Sequence, residues 1–134
     1  MEKVDKLTKL CKLLKNNISY YNWVGFYLVN KQMPNELVLF SYFGKPTEHL
    51  RIPFGRGICG QAAKFKKTLV VQDVTKESNY LSCNAKVKSE IVMPIYRDKE
   101  LLGELDIDSY VISPFSSEDE FFLETIVDMV SAIL

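Results

Sequence analysis

Asp106 and Asp108 stand in the stretch ELLGELDIDSY, residues 100–110, with one isoleucine between them. The stretch reads as a strand, and successive strand side chains point to opposite faces. Leu101, Gly103, Leu105 and Ile107 are therefore expected on one face, and Leu102, Glu104, Asp106 and Asp108 on the other. At about 6.6 Å between their backbones, the two aspartates raise each other's pKa unless a cation or a donor stands between them. A strand that aims two carboxylates one way is either a solvated face or a place for something positive.

The preceding stretch SEIVMPIYR pairs with this strand around the tip RDK. Its apolar Ile91, Met93 and Ile95 must join Leu101, Leu105 and Ile107, because a one-residue slip sends a whole set to the wrong face. A two-residue connection at Asp98 and Lys99 would pair Glu90 with Ile107 and mix the faces. A three-residue connection over Arg97, Asp98 and Lys99 pairs Glu90 with Asp106 and is the register the pattern favours. Glu90, Asp106 and Asp108 then converge on one patch. If that patch is roofed by another segment, its carboxylates must protonate or hold a cation. In NWVGFY, Trp23, Gly25 and Tyr27 share a face, and the glycine is expected to leave a gap between two rings. Two aromatics in a core are one reading; an apolar slot or cation-π wall beside the carboxylates is the other. Slot and carboxylates together suit a small molecule that carries an amine.

Three cysteines, Cys11, Cys59 and Cys83, make a poor disulfide framework. Cys11 lies on an apolar helical stripe and reads as a small buried hydrophobe. Cys59 lies in FGRGICGQAA, near the expected first turn of a short helix, where a thiol loses its proton more easily. Cys83 lies near Lys86 and Lys88 in a polar, irregular segment over residues 75–88. The two are either unrelated buried thiols or a redox pair. One histidine, His49, and no Cys-x-x-Cys spacing argue against a metal centre, so neither a metal nor a cofactor is expected.

The elements that must position these groups follow from composition and period. The chain has 134 residues, 47% of them hydrophobic and 25% charged, which is ordinary for one compact domain over residues 1–134. Seventeen basic and seventeen acidic residues cancel, so there is no electrostatic case for nucleic acid or an anionic membrane. The charged opening MEKVDKLTKL has no apolar signal-peptide core, and a cytoplasmic location is expected. Val4, Leu7, Leu10, Cys11 and Leu14 predict a helix over residues 3–16. YNWVGFYLVN and NELVLFSYFG predict a hairpin turning at Pro34 and Asn35. The basic loop GKPTEHLRIPFGRG, a short helix in ICGQAAKFK and a strand in TLVVQDV follow. The last helix is expected to start with a capping box from Ser117 to Glu120 and to present Phe122, Ile126, Met129, Val130 and Ile133 on one face. Tight turns between neighbouring strands imply an α+β domain: a largely antiparallel sheet of five to six strands with the terminal helices on one face.

WVGFY, LRIPFGRGICG, SEIVMPI and GELDIDS, in this order and spacing, resemble the free methionine-(R)-sulfoxide reductases, a family of stand-alone GAF domains. The resemblance runs from about residue 22 to the end of the chain. It implies a GAF fold, with helices on one side of the sheet and ligand-enclosing loops on the other. It further implies that Glu90, Asp106 and Asp108 hold the ammonium of the free amino acid and help protonate the sulfoxide oxygen, while Trp23 and Tyr27 wall the S-methyl group. Cys83 would attack the sulfoxide sulfur and become a sulfenic acid, Cys59 would condense with it to a disulfide, and thioredoxin would reopen that bond. A homodimer through the terminal helices is also implied by the family. The chain departs from the family pattern twice. Many members carry a further cysteine where His49 stands here, and many read GHIACDAAS where this chain reads NYLSCNAKV. The rival expectation is a GAF ligand-sensing or thiol redox-sensing module without turnover. Such sensors signal to an attached domain, for which 134 residues are expected to leave no room, although an interaction partner could take its place.

Overall fold

The computed structural model describes residues 1–33, 35–82 and 84–134. The turn residue Pro34 and the expected nucleophile Cys83 lie outside the described residues. Helix α1 (Lys3–Asn17) is followed by strands β1 (Trp23–Val29), β2 (Glu36–Phe43) and β3 (Arg51–Pro53) and helix α2 (Gly57–Phe65). Strand β4 (Leu69–Val71), a 3₁₀ turn at Val74–Lys76, strands β5 (Ser89–Arg97) and β6 (Glu100–Ser109) and helix α3 (Ser117–Ser131) complete the chain. The six strands form one antiparallel sheet in the order β3-β2-β1-β6-β5-β4. Strand β3 falls inside the stretch expected to be a loop. Among the described residues no helix is long and apolar enough to cross a membrane.

Each face of the sheet carries its own core. On one face, Val24 and Phe26 of β1, Ile91, Met93 and Ile95 of β5, and Leu105 and Ile107 of β6 pack against α1 and α3. Of the expected stripe, helix α1 buries Leu7, Cys11 and Leu14, with Leu10 packed against the core and Val4 exposed. Burial raises the Cys11 thiol to about 12, which suits a small hydrophobe and no chemistry. Helix α3 differs from expectation by one step. Its capping box joins Ser116 to Asp119, not Ser117 to Glu120, and its buried stripe is Leu123, Val127 and Val130. Met129 and Phe122 are instead exposed. Both serine–acid pairs have box spacing, and tertiary contacts choose between them: the hydroxyls of Tyr20 and Tyr21 donate to Asp119 Oδ1 at 2.8 and 2.6 Å.

The β5–β6 hairpin turns on two residues, with Arg97 opposite Glu100 and Asp98 in the left-handed region at φ 56°. That turn alone would mix the faces. The ladder recovers through a bulge: Tyr96 faces Leu101 and Ile95 faces Gly103, leaving Leu102 without a partner. Beyond it Glu90 pairs with Asp108, not Asp106. The bulge also reverses the first residues of β6, so Leu101 packs with the core of the opposite face from Leu105 and Ile107. Gly103 follows the bulge, where β6 runs so close to β1 that an added Cβ would strike the Tyr27 carbonyl oxygen.

Candidate active site

The face away from α1 and α3 holds the chemistry. Along β6, Glu104, Asp106 and Asp108 point to this face, and each sits opposite one residue of β1: Tyr27, Gly25 and Trp23 respectively. On the other flank of β6, Glu90 lies opposite Asp108. All four carboxylates are buried, Glu104 completely so at 0% exposure. Sequence reasoning placed Glu104 on the correct face yet omitted it from the group; the period-2 alternation was the signal that should have included it.

The four carboxylates are roofed by α2 and by the segment that follows β4. Ile58, Cys59, Ala62 and Ala63 form the buried side of α2. The helix is pinned at its start by Asn79, whose Oδ1 accepts from the Gly57 N–H at 2.8 Å and whose Nδ2 donates to the Gly55 carbonyl at 2.7 Å. Gly57 takes a left-handed conformation at φ 66°, and its lack of a Cβ lets the Leu81 side chain press close above it. Cys59 is thereby aimed down at the sheet, and its Sγ–H donates to Glu90 Oε2 at 3.8 Å.

Among the described residues, cation pairing does not offset the burial of Glu104, Asp106 and Asp108. No described lysine or arginine forms an ion pair with Glu104, Asp106 or Asp108. Both Glu104 oxygens, Asp106 Oδ1 and Asp108 Oδ1 accept no hydrogen bond from a described residue. Desolvation pushes Glu104 and Asp108 well above the usual carboxylate range, and the Asp106 charge pushes each further. Asp106 is raised by burial too, against the lowering effect of Glu90 and Cys59. The same setting corrects the expectation for Cys59. Burial, then the charges of Asp106, Glu90 and Glu104, drive its thiol well above its ordinary value, so the helix terminus does not make it a thiolate.

Trp23 and Tyr27 share this face, but no slot opens between them. The Trp23 indole lies over Gly25, where a Cβ would collide with it, and stacks on Tyr42 at 5.6 Å between centroids. Its Nε1–H donates to the Lys45 carbonyl at 2.9 Å, and the Tyr27 hydroxyl donates to the His49 carbonyl at 2.8 Å. Each ring instead borders its own cavity of ≈ 10 Å³. One is lined by Tyr27, His49, Cys59, Leu81, Glu90 and Asp106 among others; the second by Trp23, Lys45, Asn84, Asp108 and Tyr110 among others. Each has room for about one water. His49, the residue at the family's further cysteine position, borders the site: its Nε2 lies 2.9 Å from the Ser82 carbonyl, 33 residues away, and must carry the proton because a carbonyl only accepts.

The GAF domain family model matches residues 7–134. The chain is 40% identical over 126 residues to GAF domain-containing protein A of Dictyostelium discoideum, covering 94% of this chain and 77% of that one. It is 36% identical over 128 residues to the free methionine-R-sulfoxide reductase of Escherichia coli, covering 96% and 75%. Among solved structures it resembles the type II free methionine-R-sulfoxide reductase of Thermoplasma acidophilum, with a TM-score of 0.91, 34% identity, and 97% and 90% of the two chains covered. It also resembles the free methionine-R-sulfoxide reductase of Neisseria meningitidis in complex with its substrate, with a TM-score of 0.90, 36% identity, and 98% and 77% covered. Sharing sequence and fold with these proteins over nearly its whole described length, the chain belongs to the GAF domain family, among the free methionine-R-sulfoxide reductases.

Proposed function

We propose that this chain reduces free L-methionine-(R)-sulfoxide to methionine. The observation that carries this reading is the buried row of Glu90, Glu104, Asp106 and Asp108 next to a thiol, with oxygens of three of them lacking donors. An amino-acid ammonium offers three N–H donors and a positive charge, which is what such oxygens need. A peptide-bound residue has no such ammonium, so the same row selects the free amino acid. Similarity to proteins named as free methionine-R-sulfoxide reductases supports the substrate.

Burial raises Glu104, Asp106 and Asp108 above the ordinary carboxylate range, and a protonated member of the row then gives its proton to the sulfoxide oxygen as its sulfur is attacked. The attacking group is the Cys83 thiolate, assigned by the resemblance of the sequence to the family. The oxygen passes to Cys83 as a sulfenic acid, and methionine leaves with its sulfur reduced. The Cys59 thiol condenses with the sulfenic acid, releasing water and forming a disulfide, which a thioredoxin dithiol reduces. The raised Cys59 thiol supports this division of labour, since a group facing three carboxylates is a poor first nucleophile. The two cavities of ≈ 10 Å³ are too small for the amino acid, so binding is expected to lift Leu81 and its neighbours away from the sheet.

The test is thioredoxin-coupled NADPH consumption with the free R epimer, the free S epimer and a peptide-bound sulfoxide. Turnover of the free R epimer alone is expected. No turnover of any of them, even with dithiothreitol, would show that the pocket senses a ligand and does not reduce one.

A further inference from the structure

We propose that Cys59, Glu90 and Asp106, with Glu104 beside them, form a binding site for a single thiophilic divalent cation of the Zn²⁺ class. One ligand atom from each of Cys59, Glu90 and Asp106 already lies within 4.8 Å of the others, and all three residues are buried. Four-coordinate Zn²⁺ holds sulfur at about 2.3 Å and carboxylate oxygen at about 2.0 Å, so tetrahedral ligands of the two kinds stand about 3.5 Å apart. The Cys59 Sγ to Glu90 Oε2 separation is 3.8 Å, within a few tenths of an ångström of that spacing for this pair, and the Asp106 oxygen lies within 4.8 Å of both.

Independent of this clustering, buried oxygens lack donors. Asp106 Oδ1 and both Glu104 oxygens accept no hydrogen bond from a described residue, and Glu104 is 0% exposed. Glu104 stands beside the cluster, two residues along β6 from Asp106 on the same buried face and opposite Tyr27. A cation supplies what desolvated carboxylates lack. The cavity bordered by Cys59, Glu90 and Asp106 measures ≈ 10 Å³, which admits a bare ion without the opening that an amino acid requires. Binding is a proton exchange: the Cys59 S–H bond breaks, the proton leaves to solvent, and sulfur donates its pair to the metal, while the carboxylates release any protons they hold. Nothing is oxidised or reduced. The bound metal would compete with an ammonium for the same oxygens and would mask Cys59. Cation binding does not depend on the chain turning over a sulfoxide, so the two readings fail separately.

The reduced chain should be titrated with Co²⁺ as the spectroscopic stand-in for Zn²⁺, reading thiolate-to-metal charge-transfer absorption, and Zn²⁺ then added to displace it. One equivalent with a one-thiolate band is expected, lost on Zn²⁺ addition. Cys83→Ser should keep the band, Cys59→Ser should abolish it, and Glu104→Gln should weaken Co²⁺ binding by about tenfold or more. A thermal melt checks that each variant is folded; should Cys59→Ser fail to fold, Glu104→Gln decides. A band that survives Cys59→Ser, one that vanishes in Cys83→Ser, affinity unchanged in Glu104→Gln, or no band at millimolar Co²⁺ would overturn the proposal.

Discussion

The Cys59 thiol occupies the first turn of α2, where the partial positive charge of a helix end favours a thiolate by roughly 0.3–1 kcal/mol at exposed sites. Here that influence is outweighed. Desolvation acts first, then Asp106, Glu90 and Glu104, and all four push the thiol up. A protonated thiol cannot begin attack on a sulfoxide, but it can resolve a sulfenic acid once one has formed nearby. The two cysteines should therefore fail differently. Cys83→Ser should abolish methionine formation even in a single-turnover assay. Cys59→Ser should release about one methionine per chain and then stall with thioredoxin, unless a small thiol such as dithiothreitol replaces the missing sulfur. Quenched-flow measurement of methionine per chain separates the cases, and one full turnover by Cys83→Ser would reverse the roles. At this scale the sequence reading treated the surroundings of the residues it named incompletely. Burial, which decides the protonation of Cys59, arises from α2 folding over a sheet face far along the chain. His49 meets Ser82 across 33 residues, a contact with no local pattern.

The β5–β6 hairpin shows how an element sets the site and why its register was misjudged. Alternation correctly required Ile91, Met93 and Ile95 to face the terminal helices with Leu105 and Ile107. Two connections were weighed, and each preserved one residue per rung. The fold uses a third solution, a two-residue turn corrected by a bulge at Leu102, which leaves the periodicity of Glu104, Asp106 and Asp108 intact while moving Glu90 opposite Asp108. Apolar alternation cannot distinguish such a bulge from a longer turn, because both restore the faces. The one legible trace was Gly103, the residue that lets β6 approach β1 just past the bulge. Gly103→Ala places a methyl group against the Tyr27 carbonyl oxygen and Leu28. Backbone cannot yield as a flexible side-chain tip does, so a loss of about 1–3 kcal/mol in unfolding free energy is expected. Urea denaturation measures it. Because Glu104 and Tyr27 flank this contact, KM should rise as well; an unchanged midpoint would mean that the strands separate without cost.

Across the whole molecule, the two-sided organisation was legible because it follows from period: helical stripes at the ends, alternating strands between them, and a second apolar set with nothing but α2 and loops to cover it. What composition conceals is that a chain with no net charge concentrates four buried carboxylates on one face of its sheet. That concentration dictates how stability responds to pH. Glu104, Asp106 and Asp108 would ionise near their ordinary values of 4.5, 3.8 and 3.8 in the unfolded chain, and all three are raised in the folded one. Above about pH 4 the native state thus binds more protons than the unfolded state, and unfolding free energy falls as pH rises until the native carboxylates have ionised. Asp119 behaves oppositely: although burial opposes it, the Ser116 N–H and the Tyr21 and Tyr20 hydroxyls hold it below its ordinary 3.8. Its contribution is present above that value and lost only in more acid solution, outside the window set by the buried row. Urea midpoints of the ligand-free chain should therefore decline as pH rises above about 5. Glu104→Gln should lessen the decline and raise the midpoint at the upper end, since an amide has no charge to bury. A saturating cationic ligand should flatten the curve in the wild-type chain by stabilising the ionised row. A midpoint that climbs through this range without ligand would show that the carboxylates are ionised and compensated in the free protein, and that they do not wait for a cation.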